Sequence, residues 1–235
     1  MTPPISSALS TTLDGILAKG WQVMPDEFKG TGAAGLYLEK LLGSRNDNLD
    51  IPDLDGWEIK YHGGESYLLT LFHKEPLPQG HQKALISAFG KEQPNGEISF
   101  RHTITGGNQP TNLGFYLVNE GDKIAIKNTH DKGLELPFWT HDLVLSTFLA
   151  KFRRLILING KTLKRAVIFE QAHVFEEPRS TNFINALSEG LVVVDFDMKL
   201  RANGSLRNHG TKFRIYPRNL PLLYHHVELF LKEAD

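Results

Sequence analysis

The stretch DLDGWEIKYHGG, residues 53–64, sets Glu58 and Lys60 one residue apart in a run otherwise carried by Trp57, Ile59 and Tyr61. A β-strand sends residues i and i+2 to the same side, so the acid and the base project together while Trp57, Ile59 and Tyr61 can enter a core. Asp53 precedes them where the chain enters the strand and can swing beside Glu58. Two carboxylates and an ammonium suit one chemistry well. Asp53 and Glu58 can hold a Mg2+-like ion, a hard cation that prefers oxygen ligands and keeps several waters. Such an ion polarises a phosphoryl oxygen and lowers the pKa of a bound water. Lys60 can orient that water, or stabilise charge as it develops on the phosphate. Asp50 and Asp55 compete for the role of first carboxylate. Asp55 ranks lower beside Gly56 and only three residues before Glu58, and Asp50 lies farther along the loop. The plain alternative is a solvated face, because edge strands carry charge to avoid pairing.

The elements that must position these groups are readable from periodicity. GTGAAGLYLEKLLG (30–43) reads as a helix with Ala34, Leu38, Leu41 and Leu42 on one stripe and Gly43 at its end. Glu39 stands off that stripe, so a helix packed on the sheet can aim it at the same metal water. Otherwise it is an ordinary exposed helix acid. The glycines of KGTGAAG can bring a phosphate to backbone N–H groups at the helix start, but their spacing matches neither the P-loop nor the Rossmann fingerprint. A short helix lies upstream, in ALSTTLDGILAKG. After WEIKYH, the segment SYLLTLFHKEP (66–76) is the expected partner strand across Gly63-Gly64. GHQKALISAFG reads as a helix; GEISFRHTI and LGFYLVNEGDKIAIKN read as strands. PFWTHDLVLSTFLAKF (137–152) reads as a helix, and RLILINGKTLKRAVIFEQA as strand, Asn-Gly turn, strand. TNFINALSEG is a short helix ending on Gly190, and LPLLYHHVELFLKEA an apolar closing helix. Helices and strands alternate without strict βαβ regularity, which predicts an α/β fold with a mixed central sheet flanked by helices.

A second signal is compositional. Between Asp197 and Glu228 there is no carboxylate, while Lys199, Arg201, Arg207, Lys212, Arg214 and Arg218 fall in that window with His209. LVVVDFDMKLRANGSLRNHGTKFRIYP (191–217) reads as a β-ribbon turning at Asn203-Gly204. Its first strand puts Asp195, Asp197, Lys199 and Arg201 on one face, opposite Val192, Val194, Phe196 and Met198. A two-stranded ribbon can enter a DNA major groove, where Arg and Lys pair with guanine O6 and N7 and Asp accepts from the cytosine amine. An acid among bases favours a base reader over a surface that only grips phosphate. The alternative is a solvated hairpin. The other basic stretch, KFRRLILINGKTLKR (151–165), is expected to touch phosphates at most, or to be solvated.

The bulk numbers set limits. The 235 residues carry a net charge of −1, so an anionic partner must be held by a local patch. With 40% apolar residues a packed core is expected. There is no cysteine, which excludes disulfides, thiolate zinc sites and cysteine nucleophiles. The first residues lack the basic start and apolar core of a signal peptide, and no apolar run reaches the ~20 residues a bilayer needs. No membrane partner and a cytoplasmic location are expected.

Taken together, GTGAAGLYLEKLLG, DIPDLDGWEIKY and LRNHGTKFRI resemble the MvaI/BcnI family of type II restriction endonucleases, MutH-like members of the PD-(D/E)xK nucleases. The likeness runs over most of the chain in the right order, with Pro52-Asp53 and Glu58-Ile59-Lys60 supplying the PD…ExK pattern. It implies a restriction-endonuclease-like core in two lobes around a DNA-binding cleft. Within a single domain, 1–235, the catalytic lobe is expected over roughly 25–175 and the recognition lobe, with its ribbon, over roughly 176–220. Asp53 and Glu58 would be metal ligands, Lys60 the third catalytic residue and Glu39 the supporting helix acid. Asp197, Arg201, Arg207, His209, Lys212 and Arg214 would face the major groove. The implied cofactor is Mg2+, with Mn2+ substituting. The implied partner is double-stranded DNA carrying a short, GC-rich, pseudosymmetric site of the CC-N-GG kind, cut by a monomer in successive nicks. A cognate DNA methyltransferase is implied as a functional counterpart and not as a stable complex. The rival readings are a MutH-like strand nicker of DNA repair and a non-catalytic DNA-binding module.

Overall fold

Ser6 starts the first helix: its Oγ accepts a hydrogen bond from the Leu9 N–H at 3.3 Å, and Leu9, Leu13 and Ile16 then recur on one buried face. The computed structural model describes residues 5–44, 52–54, 56–64, 67–107, 109–130 and 132–230. In chain order the elements are α1 (Ser7–Leu17), β1 (Gln22–Val23), α2 (Ala33–Leu42), β2 (Glu58–His62), β3 (Leu69–His73), α3 (His81–Phe89) and β4 (Lys91–Glu92). There follow β5 (Ile98–Ile104), β6 (Phe115–Glu120), β7 (Lys123–Asn128), β8 (Phe138–Thr140), α4 (His141–Lys151), β9 (Arg154–Leu163) and β10 (Ala166–Pro178). The last are α5 (Ser180–Ser188), β11 (Val192–Leu200), β12 (Leu206–Asn208), β13 (Lys212–Ile215), a 3-10 helix (Pro217–Leu223) and β14 (Tyr224–Phe230). Asp50 and Asp55, weighed above as rival carboxylates, lie outside the described residues.

The chain divides into two units, each assembled from separate segments. The first comprises Met1–Tyr67, Leu149–Pro178 and Tyr224–Asp235; the second comprises Leu68–Phe148 and Arg179–Leu223. Residues 68–148 thus share a unit with the ribbon segment, while 149–178 share one with the strand that carries Glu58 and Lys60.

The first unit is built on a five-stranded sheet in the order β1-β10-β9-β2, with β14 also paired to β10. Only β2 runs parallel to its neighbour, β9, so the sheet is mixed. Helices α1 and α2 cover one face, where Leu13, Leu38, Trp57, Ile59, Ile156, Ile158 and Phe169 form a buried core. Helix α2 ends as expected at Gly43, whose φ of 73° suits a residue without a Cβ.

The second unit holds a six-stranded sheet in the order β3-β13-β11-β5-β4, with β12 paired to β11, and a three-stranded sheet β6-β7-β8. Val194, Phe196 and Met198 are buried with Phe100, Ile104 and Phe213 on one face, so the alternation read from the ribbon holds. The hairpin from β11 to β12 turns at Gly204, φ 78°, but β11 is an interior strand and not part of a free ribbon.

Four sequence expectations are corrected. The strand at 69–73 pairs with β13 in the second unit and not with β2. The loop before it is tied instead to the His62 ring, whose Nε2 lies 2.7 Å from the Tyr67 carbonyl oxygen. The helix expected from 137 starts only at His141, because residues 138–140 pair with β7 and the Trp139 indole donates to the Lys74 carbonyl at 2.9 Å. Asn159-Gly160 is not a turn. It lies inside β9, opposite a β-bulge in β10, where a Cβ at Gly160 would run into the Ile168 carbonyl. The reversal falls after Leu163, at Lys164, φ 54°. Finally, 224–230 is a strand and not a helix, since the open edge of β10 supplies its backbone partners.

Candidate catalytic site

The turn that leads into β2 fixes the geometry of the site. Leu54 and Trp57 exchange both backbone hydrogen bonds, Leu54 N–H to Trp57 O at 3.0 Å and Trp57 N–H to Leu54 O at 2.7 Å, with Gly56 at φ 80° between them. The next residues outward are Asp53 and Glu58. Asp53 Oδ2 then accepts the Ile59 N–H at 2.9 Å, which pins its carboxylate to the start of the strand. Of the three aspartates weighed from the sequence, Asp53 is the described one, and it does stand beside Glu58.

Glu58 is wholly buried, at 0% exposure. Lys60 Nζ lies 2.5 Å from its Oε1, and a second ammonium, Lys151 Nζ at the end of α4, lies 3.7 Å from the same oxygen. These are ion pairs; among the described residues neither Glu58 oxygen has a partner in hydrogen-bonding geometry. Burial pushes the Glu58 carboxyl up to about 7; the Lys60 ammonium opposes the rise and the Asp53 charge adds to it. The Lys60 ammonium also sits 6.0 Å from the centre of the Phe152 ring. Beneath, Tyr224 is buried and donates to the Phe152 carbonyl at 3.1 Å, and burial, then the Glu58 charge, holds its phenol well above the usual range.

Glu39 of α2 joins the same field. Burial raises its carboxyl first and the Asp53 charge second, while Lys60 and Lys151 work against the rise. Asp53, Glu58, Lys60 and Glu39 are thus brought together. Lys151 was missed: it ends a helix whose landing point the sequence does not disclose. In the same basic stretch Arg154 pairs with Glu176 at 3.0 Å and stacks 3.7 Å from the Trp57 ring, and Lys161 pairs with Glu170. Arg153, Lys161, Lys164 and Arg165 of that stretch are exposed.

A hard divalent cation fits this donor set. A buried carboxylate beside a second one, Asp53, offers the hard oxygen ligands such an ion takes. Among the described residues no three His, Asp or Glu side chains converge on one point, so water would complete the shell.

In the second unit the predicted reading residues fall on one face of the six-stranded sheet or at its hairpin. Asp197 is braced by Arg101, whose Nε donates to Oδ1 at 3.0 Å, and by Lys212 Nζ, 3.5 Å from Oδ2. Asp195 accepts from Thr103 Oγ1 at 3.0 Å and from Arg214 Nη1 at 3.1 Å, and Arg214 Nη2 donates to the Leu68 carbonyl at 3.0 Å. Arg201, Arg207 and His209 are exposed. Lys199 pairs with Glu97 at 2.6 Å. Arg101 was also missed, although the alternation of GEISFRHTI places it opposite Phe100. Its neighbour in register, Asp197, is set by strand pairing alone.

Among the described residues no helix is long and apolar enough to cross a membrane. A family model described as the MvaI/BcnI restriction endonuclease family matches residues 11–224. Among solved structures, one described as "Restriction endonuclease MvaI-cognate DNA substrate complex" gives a TM-score of 0.82 at 23% identity, covering 97% of this chain and 100% of that one. Another, "Restriction endonuclease MvaI in the absence of DNA", gives 0.60 at 21% identity, covering 98% and 100%. These likenesses show the mixed α/β fold. No curated protein matches the chain.

Proposed function

Because the chain belongs to the MvaI/BcnI restriction endonuclease family, we propose that it is a type II restriction endonuclease. It hydrolyses phosphodiester bonds of double-stranded DNA at a short, GC-rich, pseudosymmetric site of the CC-N-GG kind. It uses Mg2+, with Mn2+ substituting, and works as a monomer that nicks each strand in turn. The observation that carries this reading is the buried Glu58 carboxylate, paired with Lys60 Nζ at 2.5 Å, with Asp53 pinned across the turn. The likeness to a structure that holds cognate DNA supports a duplex as the partner.

Asp53 and Glu58 would hold the cation, which when bound polarises a phosphoryl oxygen and acidifies a coordinated water. Lys60 offsets the negative charge that builds on the phosphorus oxygens as the water adds. Glu39, whose proton affinity burial raises, is suited to take up the proton that the water gives away. The bond to the 3′ oxygen breaks, leaving a 3′ hydroxyl and a 5′ phosphate. The Asp195/Asp197 face, with Lys212 and the exposed Arg201, Arg207 and His209, reads the base edges.

Digestion of unmethylated phage DNA in Mg2+, against an EDTA control, tests the proposal. Discrete fragments with 5′-phosphate ends are expected, and supercoiled plasmid should pass through an open-circular form before it becomes linear. Relaxed plasmid with no linear product would favour a strand nicker instead. Intact DNA under all conditions would leave only a binding role.

A further inference from the structure

Two arginines approach the two aspartates of the reading face, and they are used in opposite ways. Arg214 spends its guanidinium inside the protein: Nη1 goes to Asp195, Nη2 to the Leu68 carbonyl, and its Nε is buried. Its side chain is 28% exposed. Arg101, directly opposite Asp197 in the β5–β11 register, spends only Nε, and its side chain is 72% exposed. Both of its terminal nitrogens are without partners among the described residues. The ion pair therefore grips the side of the guanidinium and leaves its end free as a two-donor fork. Asp197 cannot easily turn away, because Lys212 stands 3.5 Å from its other oxygen.

We propose that Arg101 reads a guanine in the major groove, donating through its two terminal nitrogens to O6 and N7, with Asp197 as the residue that positions it. The inference rests on the endonuclease reading above and adds a specificity residue to it. Guanine is the base whose major-groove edge offers two adjacent acceptors to such a fork. A phosphate also accepts a fork, but here it would be brought up against the Asp197 carboxylate, 3.0 Å from the Arg101 Nε. A neutral base edge meets no such repulsion. An ion pair this exposed contributes little to stability, so folding alone gives little reason for Arg101 to be held in this way.

The test uses the full chain. The wild-type cleavage site is mapped on phage DNA in Mg2+. Binding is then measured in Ca2+ to duplexes carrying that site with 7-deazaguanine at one guanine at a time. Arg101→Ala is expected to bind the unmodified site about five- to 150-fold more weakly, the factor equivalent to 1–3 kcal/mol. It should also lose the 7-deazaguanine penalty at one guanine and keep it at the others. Arg101→Lys retains the charge without the fork and should not restore that penalty. Asp197→Ala should shrink the penalty at the same guanine, a position-specific effect that a mere brace of the sheet would not produce. Circular dichroism and melting curves establish that each variant is folded.

A uniform loss across all duplexes, with the salt slope reduced by about one, would make Arg101 a phosphate contact and overturn the proposal. So would unchanged binding, or a cleavage site without guanine. A wild-type protein that neither cuts nor binds duplex DNA would overturn the endonuclease reading and this one together. A wild type that cuts while Arg101→Ala behaves identically overturns this one alone.

Discussion

The Asp53 carboxylate accepts the Ile59 backbone N–H at 2.9 Å, so the first acid of the site is fastened to the strand that carries the second. Charge and fastening can be separated. Asp53→Asn keeps an acceptor and removes the charge; it should lose cleavage and change the unfolding free energy little. Asp53→Ala removes both and should also lower stability by about 1 kcal/mol, the usual net worth of a hydrogen bond. Denaturant titration beside a plasmid cleavage assay reads the two effects.

Glu58→Ala and Lys60→Ala should each reduce cleavage by about 100-fold or more, the scale of losing a group that stabilises developing charge. Duplex binding in Ca2+ should survive in Lys60→Ala. Full activity in either variant would end the assignment of the site.

Glu58 also sets a pH dependence. Its carboxyl is raised in the folded protein to about 7 from an ordinary value of 4.5. Between those values the folded state binds the extra proton, so with chelator present this group's contribution to stability is complete below about pH 4.5 and is lost as the pH rises through about 7. The full difference is on the order of 3 kcal/mol. Glu58→Gln should therefore match the wild type near pH 4.5 and melt higher than it near pH 8 in EDTA. Mg2+ should raise the wild-type melting temperature at pH 8 and leave Glu58→Gln unmoved.

Arg214 and Arg207 should part company. Arg214→Ala strips the partly buried Asp195 of a charged donor and should cost about 1–3 kcal/mol of stability. Arg207→Ala, exposed on β12, should stay within about 0.5 kcal/mol yet weaken DNA binding. Paired melting and gel-shift measurements distinguish a supporting arginine from a contacting one.

Gly160→Ala should destabilise by more than about 2 kcal/mol, because the new methyl meets the Ile168 carbonyl of the paired strand with no slack in either backbone. Gly204→Ala, at a hairpin tip with open space around it, should cost less, about 1 kcal/mol of backbone strain. Comparative urea midpoints check the order.

What the sequence disclosed was local. The period of WEIKYH, the stripe of α2 and the alternation of β11 each follow from a few neighbouring residues, and with them came Asp53, Glu58, Lys60 and Glu39. Long-range pairing was not legible. The Asn159-Gly160 dipeptide has the chemistry of a turn, but its glycine answers the close approach of another strand. The segment 224–230 has a helix-like apolar run, but the open edge of β10 decides its conformation. Lys151 and Arg101 escaped for the same reason: each gains its role from a residue far away in the chain, Glu58 for one and Asp197 for the other.

Strand β14 completes the sheet that contains β2, and it is the last described element. Every described strand of the second unit precedes it in the chain. The first residue of β14 is Tyr224, which donates to Phe152 close by Glu58. The surroundings of Glu58 are thus drawn from segments far apart in the chain, and the last of them arrives with β14.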